Sequence, residues 1–525
     1  MPLLAETSST ATLGGLDWGI CAGYLLVVFL LGLWVARDQH SNEDYFVGGR
    51  TMHWLPIGLS IFAGTFSSLS FVGLPSDAAY EDYHLLLGIL FIPFVVTPIV
   101  WCLFLPFYFR LGLTSAYEYV ERRFNRRLRL IASVLFLLYT IGWMGNLLRA
   151  VGLIMQAVLD LSPGQTVLLL VGVGLFATFY TAIGGVKAVV WTDALQAFAL
   201  GGGMLLVLYL AVDQIDGGWQ RMVEIGQAHH KFDMFHTEFD FKESNVYAAC
   251  AFGFFVYLAG HAVSFGAVQR YVSMPNIAAA RRSLLVNGVM VAAVCTVFFL
   301  VGSTLFAFYH QTDAAGSLDE TIISQSSPAD VQNENLFERM ESEDTKDQLL
   351  SRFLMAELPL PGLMGLLLAG LFAAAMSSID SGINSMTASV VCDWQGGRQL
   401  QLQGSRILCA SFGAAAVTTS IVLYFVGGDV FPMIMKIAGA FFGVLLGVFL
   451  LGMLTRRANS EGATLGVIAG AAGLGAAFYW EVSEYWFGAF TCLPTLIGGA
   501  VASLFFDPPT EAQLRGLVVG KSRES

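Results

Sequence analysis

The stretch Ala373–Trp394, AAAMSSIDSGINSMTASVVCDW, decides how this chain is read. It continues an apolar run that starts near Pro361 and is long enough to cross a bilayer. Apolar residues should fill such a span, yet this one carries Ser377, Ser378, Asp380, Ser381, Asn384 and Ser385. At helical spacing Ser377, Asp380, Ser381 and Asn384 form one stripe, with Ser378 and Ser385 beside it. A carboxylate in hydrocarbon is costly, so the stripe must face a partner, a cavity or an ion. Hydroxyl and carboxylate oxygens suit a hard cation such as sodium and do not suit zinc or copper. The competing reading is that small hydroxyl residues only let helices pack closely and bond back to their own backbone. The intramembrane Asp weighs against it.

Working outward, the whole chain fits this setting. Its 525 residues are 56 % hydrophobic and only 13 % charged, against about 25 % charged in soluble domains. That composition is expected of an all-α polytopic membrane protein. The net charge of −12 comes from acids clustered in two loops, and there is no basic face for a nucleic acid. The seven cysteines fall in or beside apolar segments and form no CxxC, so neither a disulfide framework nor a zinc site is expected. The first residues lack a basic n-region and a cleavage signal, so a signal peptide is not expected either.

Thirteen spans of helical length are expected. An extra N-terminal helix covers 16–35, five spans lie within 55–212, five within 246–454, and two within 463–505, all in one transporter-like domain over 1–525. With the N-terminus outside and the C-terminus inside, the inner loops collect 19 Lys and Arg and the outer loops 6. Arg149 and Lys436 remain inside spans. This asymmetry satisfies the positive-inside rule, and one miscounted span would invert every later loop. Of the two long outer loops, Asp213–Asn245 is mixed in charge and His310–Arg352 is acidic. Both are expected to be solvated loops with short amphipathic helices.

Three further stretches join the first: YFVGGRTMHWLPIGLS (Tyr45–Ser60), TAIGGVKAVVWTDALQ (Thr181–Gln196) and VQRYVSMPNIAAARRSLLVN (Val268–Asn287). In this order and spacing the four resemble, respectively, the eighth core helix, first-helix entrance, fifth helix and sixth-to-seventh loop of the sodium:solute symporter family. That family includes sodium-coupled sugar, sialic acid, monocarboxylate, iodide and vitamin transporters. The resemblance covers roughly Leu16 to Ala458 and implies a LeuT-type fold with a five-plus-five inverted repeat. The residues themselves offer a weaker sign. Two spans are interrupted by small residues in corresponding positions, at Ala63–Thr65 through Gly73–Pro75 and at Gly253 through Gly260 to Gly266. Such interruptions mark binding sites near the bilayer midplane, where unwound backbone exposes carbonyls.

The resemblance also implies site residues. A shared sodium site would use the carbonyls of Ala63, Phe66 and Ala374 with the hydroxyls of Ser377 and Ser378. A second cation site would involve Asp193, Ser377, Asp380 and Ser381. Many relatives have Ser or Thr at position 380, so Asp380 either strengthens sodium binding or takes a proton. Asp193 has the alternative role of anchoring a helix end. Thr65, Ser67 and Ser70 match hydroxyls that hold substrate in relatives. Ser264 and Met435 stand where sugar-type members carry Asn and Gln, and Trp143 stands where sialic acid members carry Arg. Lys436, next to Met435, either snorkels to the outer interface or meets an anionic substrate. Gln269, Arg270 and Asp393 read as structural, and His261 as a core or cavity residue without metal-ligand spacing.

The expected function is sodium-coupled symport of a small organic solute by alternating access at the plasma or inner membrane, by a monomer. An organic anion or acidic sugar is favoured, with a neutral sugar as the alternative. A rival class is a sodium- or solute-responsive sensor without turnover. An intramembrane enzyme is disfavoured, since neither HExxH nor GxSxG occurs.

Overall fold

The structure is a computed structural model describing residues 14–37, 42–66, 68–113, 115–235, 238–310, 346, 349–358, 360–394, 402–427 and 430–519. Among these there are helices and no strands. The membrane helices are numbered here in chain order. They are α1 (Gly15–Ala36), α2 (Trp54–Thr65), α3 (Ser68–Tyr80), α4 (His84–Leu111), α5 (Arg126–Leu159), α6 (Pro163–Asp213) and α7 (Val246–Ala262). Then follow α8 (Phe265–Val272), α9 (Ile277–Tyr309), α10 (Leu363–Asp393), α11 (Leu402–Val426), α12 (Val430–Leu454), α13 (Ser460–Tyr479) and α14 (Phe487–Ala502).

Several spans begin on an asparagine. The side chains of Asn125, Asn245, Asn276 and Asn459 accept from the backbone N–H groups of Leu128, Ala248, Ala279 and Gly462 at 2.8–2.9 Å. These caps satisfy first-turn donors that lack a helical acceptor. Helix α6 is 51 residues long. At 1.5 Å per residue that is about 76 Å, more than twice a hydrocarbon core of about 30 Å. It breaks at Gly185, whose φ of 53° and ψ of −158° only glycine adopts easily, so it makes two spans.

Two more spans are broken near their middles. α2 and α3 meet at 59° across Phe66, and α7 and α8 at 48° across Val263–Ser264. Counting each bent pair once and α6 twice gives thirteen spans among the described residues, as expected from the sequence. The broken spans are the second and the seventh, five apart. Helix α7 crosses α4 so closely that a Cβ on Gly253 would lie 2.3 Å from the Gly88 carbonyl oxygen.

Helix α10 sits at the centre. Of its most apolar stretch 94 % is buried, against 22 % for α1, which therefore faces lipid on most of its surface. α10 packs against α1, α2, α3, α5, α6 and α8. In the first long outer loop, Gly218–Ala228 is a helix that buries Met222 and Ile225 and packs against α9. Most of the second, acidic loop lies outside the described residues.

Candidate functional site

The two breaks open onto one cavity of about 170 Å³. Its walls are Gly64, Thr65 and Phe66 at the first break, Ser264 and Gly266 at the second, and Ser381 and Ser385 of α10. Much of the rest is aromatic, namely Phe136, Tyr139 and Trp143 of α5, Phe252 and Tyr257 of α7, and Phe442 of α12, and His261 of α7 also lies on the wall. Of the residues expected to touch a solute, Thr65, Ser70, Ser264 and Met435 line this cavity. Ser67 lies outside the described residues. Lys436 is not on the wall; one helical step of about 100° beyond Met435 turns it away.

The cavity hydroxyls differ in what they can offer. Thr65 donates to the Ile61 carbonyl at 2.8 Å, Thr140 to Phe136 at 2.7 Å and Ser385 to Gly382 at 3.1 Å, so their protons are already engaged. Ser264 is the N-cap residue of α8, but its side-chain oxygen accepts no capping bond, which leaves this hydroxyl to the cavity. Among the described residues no Asn or Gln lines the wall, whereas sugar recognition usually employs amides that donate and accept together.

Among the described residues, the one Lys, Arg, Asp or Glu on the wall is Arg270 of α8, which sequence reasoning assigned to structure alone. Its guanidinium donates to Ser60 Oγ at 2.7 Å, to the Gly266 carbonyl at 3.1 Å, to Ser381 Oγ at 2.5 Å and to Asp193 Oδ2 at 3.1 Å. Ser60 also donates to Asp193 Oδ2 at 2.5 Å. Asp193 thus does more than anchor a helix end. It joins α6 to α8, α2 and α10 through a buried ion pair.

Asp380 is held differently. Its Oδ2 accepts from Tyr180 Oη at 2.7 Å and from Thr192 Oγ1 at 3.4 Å, both on α6. Asp380 is fully buried and forms no ion pair among the described residues. The expected grouping of Asp193, Asp380 and Ser381 therefore divides. Ser381 joins Asp193 and Arg270, while the Asp380 carboxylate engages Tyr180 and Thr192. Both Asp193 and Asp380 keep one oxygen, Oδ1, buried without a hydrogen-bond partner.

The residues expected around the shared sodium are all buried: Ala63, Phe66, Ala374, Ser377 and Ser378. Ala63 lies in the last turn of α2 and Phe66 is its extended cap, where helical carbonyls lose their partners. Ser377 and Ser378 on α10 keep their hydroxyls unpaired, with Ser377 beside Asp193. An oxygen-only set of this kind suits a hard cation. Among the described residues no group of three His, Cys, Asp or Glu is arranged to hold a metal.

A sequence profile of the sodium:solute symporter family matches residues 45–470. The sodium/sialic acid symporter NanT of Aliivibrio fischeri is 31 % identical over 87 % of this chain and 86 % of its own length. The human sodium/iodide cotransporter is 32 % identical over 90 % of this chain and 72 % of its own. A substrate-bound, outward-open structure of a Na⁺-coupled sialic acid symporter superposes with a TM-score of 0.80 at 26 % identity. It covers 95 % of this chain and 99 % of that one. The helix order, the paired broken spans and this superposition make the fold LeuT-type.

Proposed function

The chain belongs to the sodium:solute symporter family, and we propose that it imports a small organic anion together with sodium by alternating access. The observation that carries the sodium half is the pair of buried, unpartnered hydroxyls of Ser377 and Ser378, on the helix that packs against the first break. Carbonyls of Ala63, Phe66 and Ala374 complete that proposed shell. Sodium there ties α10 to α2 and α3 and so favours the outward-open form. Its loss to the cytoplasm loosens the same contact and frees the solute. A second cation is proposed beside Asp193, Asp380 and Ser381, where Asp193 pairs with Arg270 and Asp380 has no ion pair among the described residues.

The anion half rests on the cavity wall. Its charged residue is cationic, the Ser264 hydroxyl stands at the N-terminus of α8, and among the described residues it carries no carboxylate. Helix N-termini favour negative charge. The relatives compared above carry sialic acid or iodide, both anions. Thr65, Ser67, Ser70, Ser264 and Met435 remain the proposed solute contacts, and the aromatic rings suit a solute with an apolar body. An acidic sugar or a monocarboxylate fits better than a neutral hexose.

Energy transfer follows from charge. A univalent anion carried with one sodium is electroneutral and draws only on the sodium gradient. Each further sodium adds one net charge, worth about 2.3 kcal/mol per 100 mV. The protein is a multi-pass membrane protein. The proposed orientation has the N-terminus outside and the C-terminus inside, so a cysteine at Ser9 and not one at Ser522 should react with an impermeant label on intact cells. For function, proteoliposomes should take up radiolabelled sialic acid or a monocarboxylate when sodium is added outside. Preferential sodium-driven uptake of glucose would reverse the anion reading. Solute binding without any flux would favour a sensor.

A further inference from the structure

Helices α4 and α9 pack against each other along a seam that borders lipid. A Cβ on Gly288 of α9 would lie 3.3 Å from Pro93 of α4. Nearer the start of α9, the Arg281 guanidinium lies over the ring of Trp101 of α4, 5.6 Å from its centre. Trp101 belongs to a π-helical turn, Val100–Phe104, and such turns inside α-helices are frequent at functional sites. Arg282 follows and is exposed. Among the described residues no carboxylate pairs with either arginine and no hydrogen bond engages them. Arg281 Nε is shielded and unpartnered, so the stack holds the side chain while the two terminal nitrogens of its fork stay open. Beside this pair the surface turns apolar. Leu285 and Val289 continue the exposed face of α9 from Arg282 at helical spacing, and Phe94 and Cys102 are exposed on α4. The positive-inside rule places arginines at this end of a span, and snorkelling carries a charge to water. Neither requires one of them to stack on a tryptophan at a helix seam.

We infer that Arg281, Arg282 and Trp101 hold the phosphate of an anionic phospholipid, in the leaflet at the start of α9. In the proposed orientation that is the cytoplasmic leaflet. Three features specify the occupant. A guanidinium fork matches two oxygens of one phosphate. Two positive charges without an acid favour an anionic headgroup over a zwitterionic one. The apolar faces of Leu285, Val289 and Phe94 suit acyl chains, which a soluble phosphate lacks. A lipid seated there touches α4 of the first five spans and α9 of the second five, and so bridges the two sets from outside the protein.

Brominated phosphatidylglycerol is the probe, since bromine quenches a tryptophan it touches. The purified full-length protein is reconstituted in phosphatidylcholine vesicles with a rising fraction of this lipid, or of brominated phosphatidylcholine as control. The chain has ten tryptophans, so each protein is compared with its own Trp101→Phe variant to isolate the signal of Trp101. That signal should be half-quenched at a lower fraction of phosphatidylglycerol than of phosphatidylcholine. Arg281→Gln and Arg282→Gln should each raise the phosphatidylglycerol fraction needed by about fivefold. Arg281→Lys keeps the charge without the fork and should raise it as well. Either position carries the test should the other variant fold poorly. Arg127→Gln removes another exposed arginine and should change nothing. Equal quenching of wild type by both lipids overturns the site, and so does a preference that survives loss of both Arg281 and Arg282. An effect of Arg127→Gln as large as that of Arg281→Gln assigns the preference to diffuse surface charge and overturns it too. Recovery of fluorescence on adding inorganic phosphate gives the arginines to a soluble anion and overturns the lipid assignment.

Discussion

Asp193 and Asp380 are both fully buried aspartates on helices packed against each other, and the protein treats them in opposite ways. Asp193 has a permanent cation. Arg270 reaches it at 3.1 Å, and Ser60 and Ser381 tie the pair to α2 and α10. Asp380 has no ion pair among the described residues, and Tyr180 and Thr192 donate to one of its two oxygens. A carboxylate that carries its own arginine is a joint between helices. One that lacks a fixed cation is the proposed seat for a mobile one. On this proposal the same residue type marks both the rigid and the exchangeable part of the site, and only the partner tells them apart.

The largest effect expected from this contrast is at the joint. Arg270→Gln leaves Asp193 buried and unpaired, and breaking a buried pair costs about 3–5 kcal/mol. The yield of monodisperse protein on size-exclusion chromatography should collapse, and transport with it. The double variant Asp193→Asn with Arg270→Gln removes both charges and should recover most of the folded yield. A single variant as well behaved as wild type would show that the pair is no joint.

The seat should respond with the opposite sign. In sodium-free buffer Asp380→Asn removes a buried carboxyl that has no fixed cation, so the melting temperature should rise above that of wild type. Adding sodium should then stabilise the variant less. At a hundredfold excess over Kd, one bound ion stabilises by about 2.7 kcal/mol, and the variant should forgo one such increment. A melting temperature lowered by Asp380→Asn at every sodium concentration would make Asp380 structural after all.

The sequence shows why these two aspartates were hard to separate. Span count and both breaks were legible, because apolar runs of fixed length and small-residue interruptions are local properties. The serine and Asp stripe on α10 was legible for the same reason. Partnership was not. Arg270 is 77 residues from Asp193 and Tyr180 is 200 from Asp380, and no pattern within one helix reveals either pair. Arg270 stands near a helix end in the loop-like stretch VQRYVSMP, so it reads as interfacial; the break at Ser264 is what carries it inward to the cavity.

A smaller effect is expected at the proposed sodium shell shared by α2 and α10. Ser377→Ala and Ser378→Ala each remove one oxygen from a small cation. Half-saturating sodium should rise about tenfold, or about 1.4 kcal/mol, with protein level unchanged. Ser377 adjoins Asp193 and Ser378 does not share that contact, so Ser377→Ala should have the larger effect. Normal sodium dependence in both variants would place the ion elsewhere.

The smallest effect concerns Lys436, and it tests which positive charge the solute meets. From sequence alone this ammonium, beside a cavity position, argues for an anionic solute. In the structure the neighbouring Met435 forms the wall and Lys436 is turned off it, half-buried. The wall's positive charge belongs to Arg270 instead. A flexible lysine in the outer half of a span can place its charge at the interface by snorkelling, at little cost. Lys436→Gln should therefore change the apparent solute affinity by less than about twofold, under about 0.4 kcal/mol at 1.4 kcal/mol per decade. The anion reading then stands on Arg270 and the N-terminus of α8. A tenfold loss of affinity in Lys436→Gln, with sodium binding intact, would return the recognition of charge to α12 and detach it from the Asp193 joint.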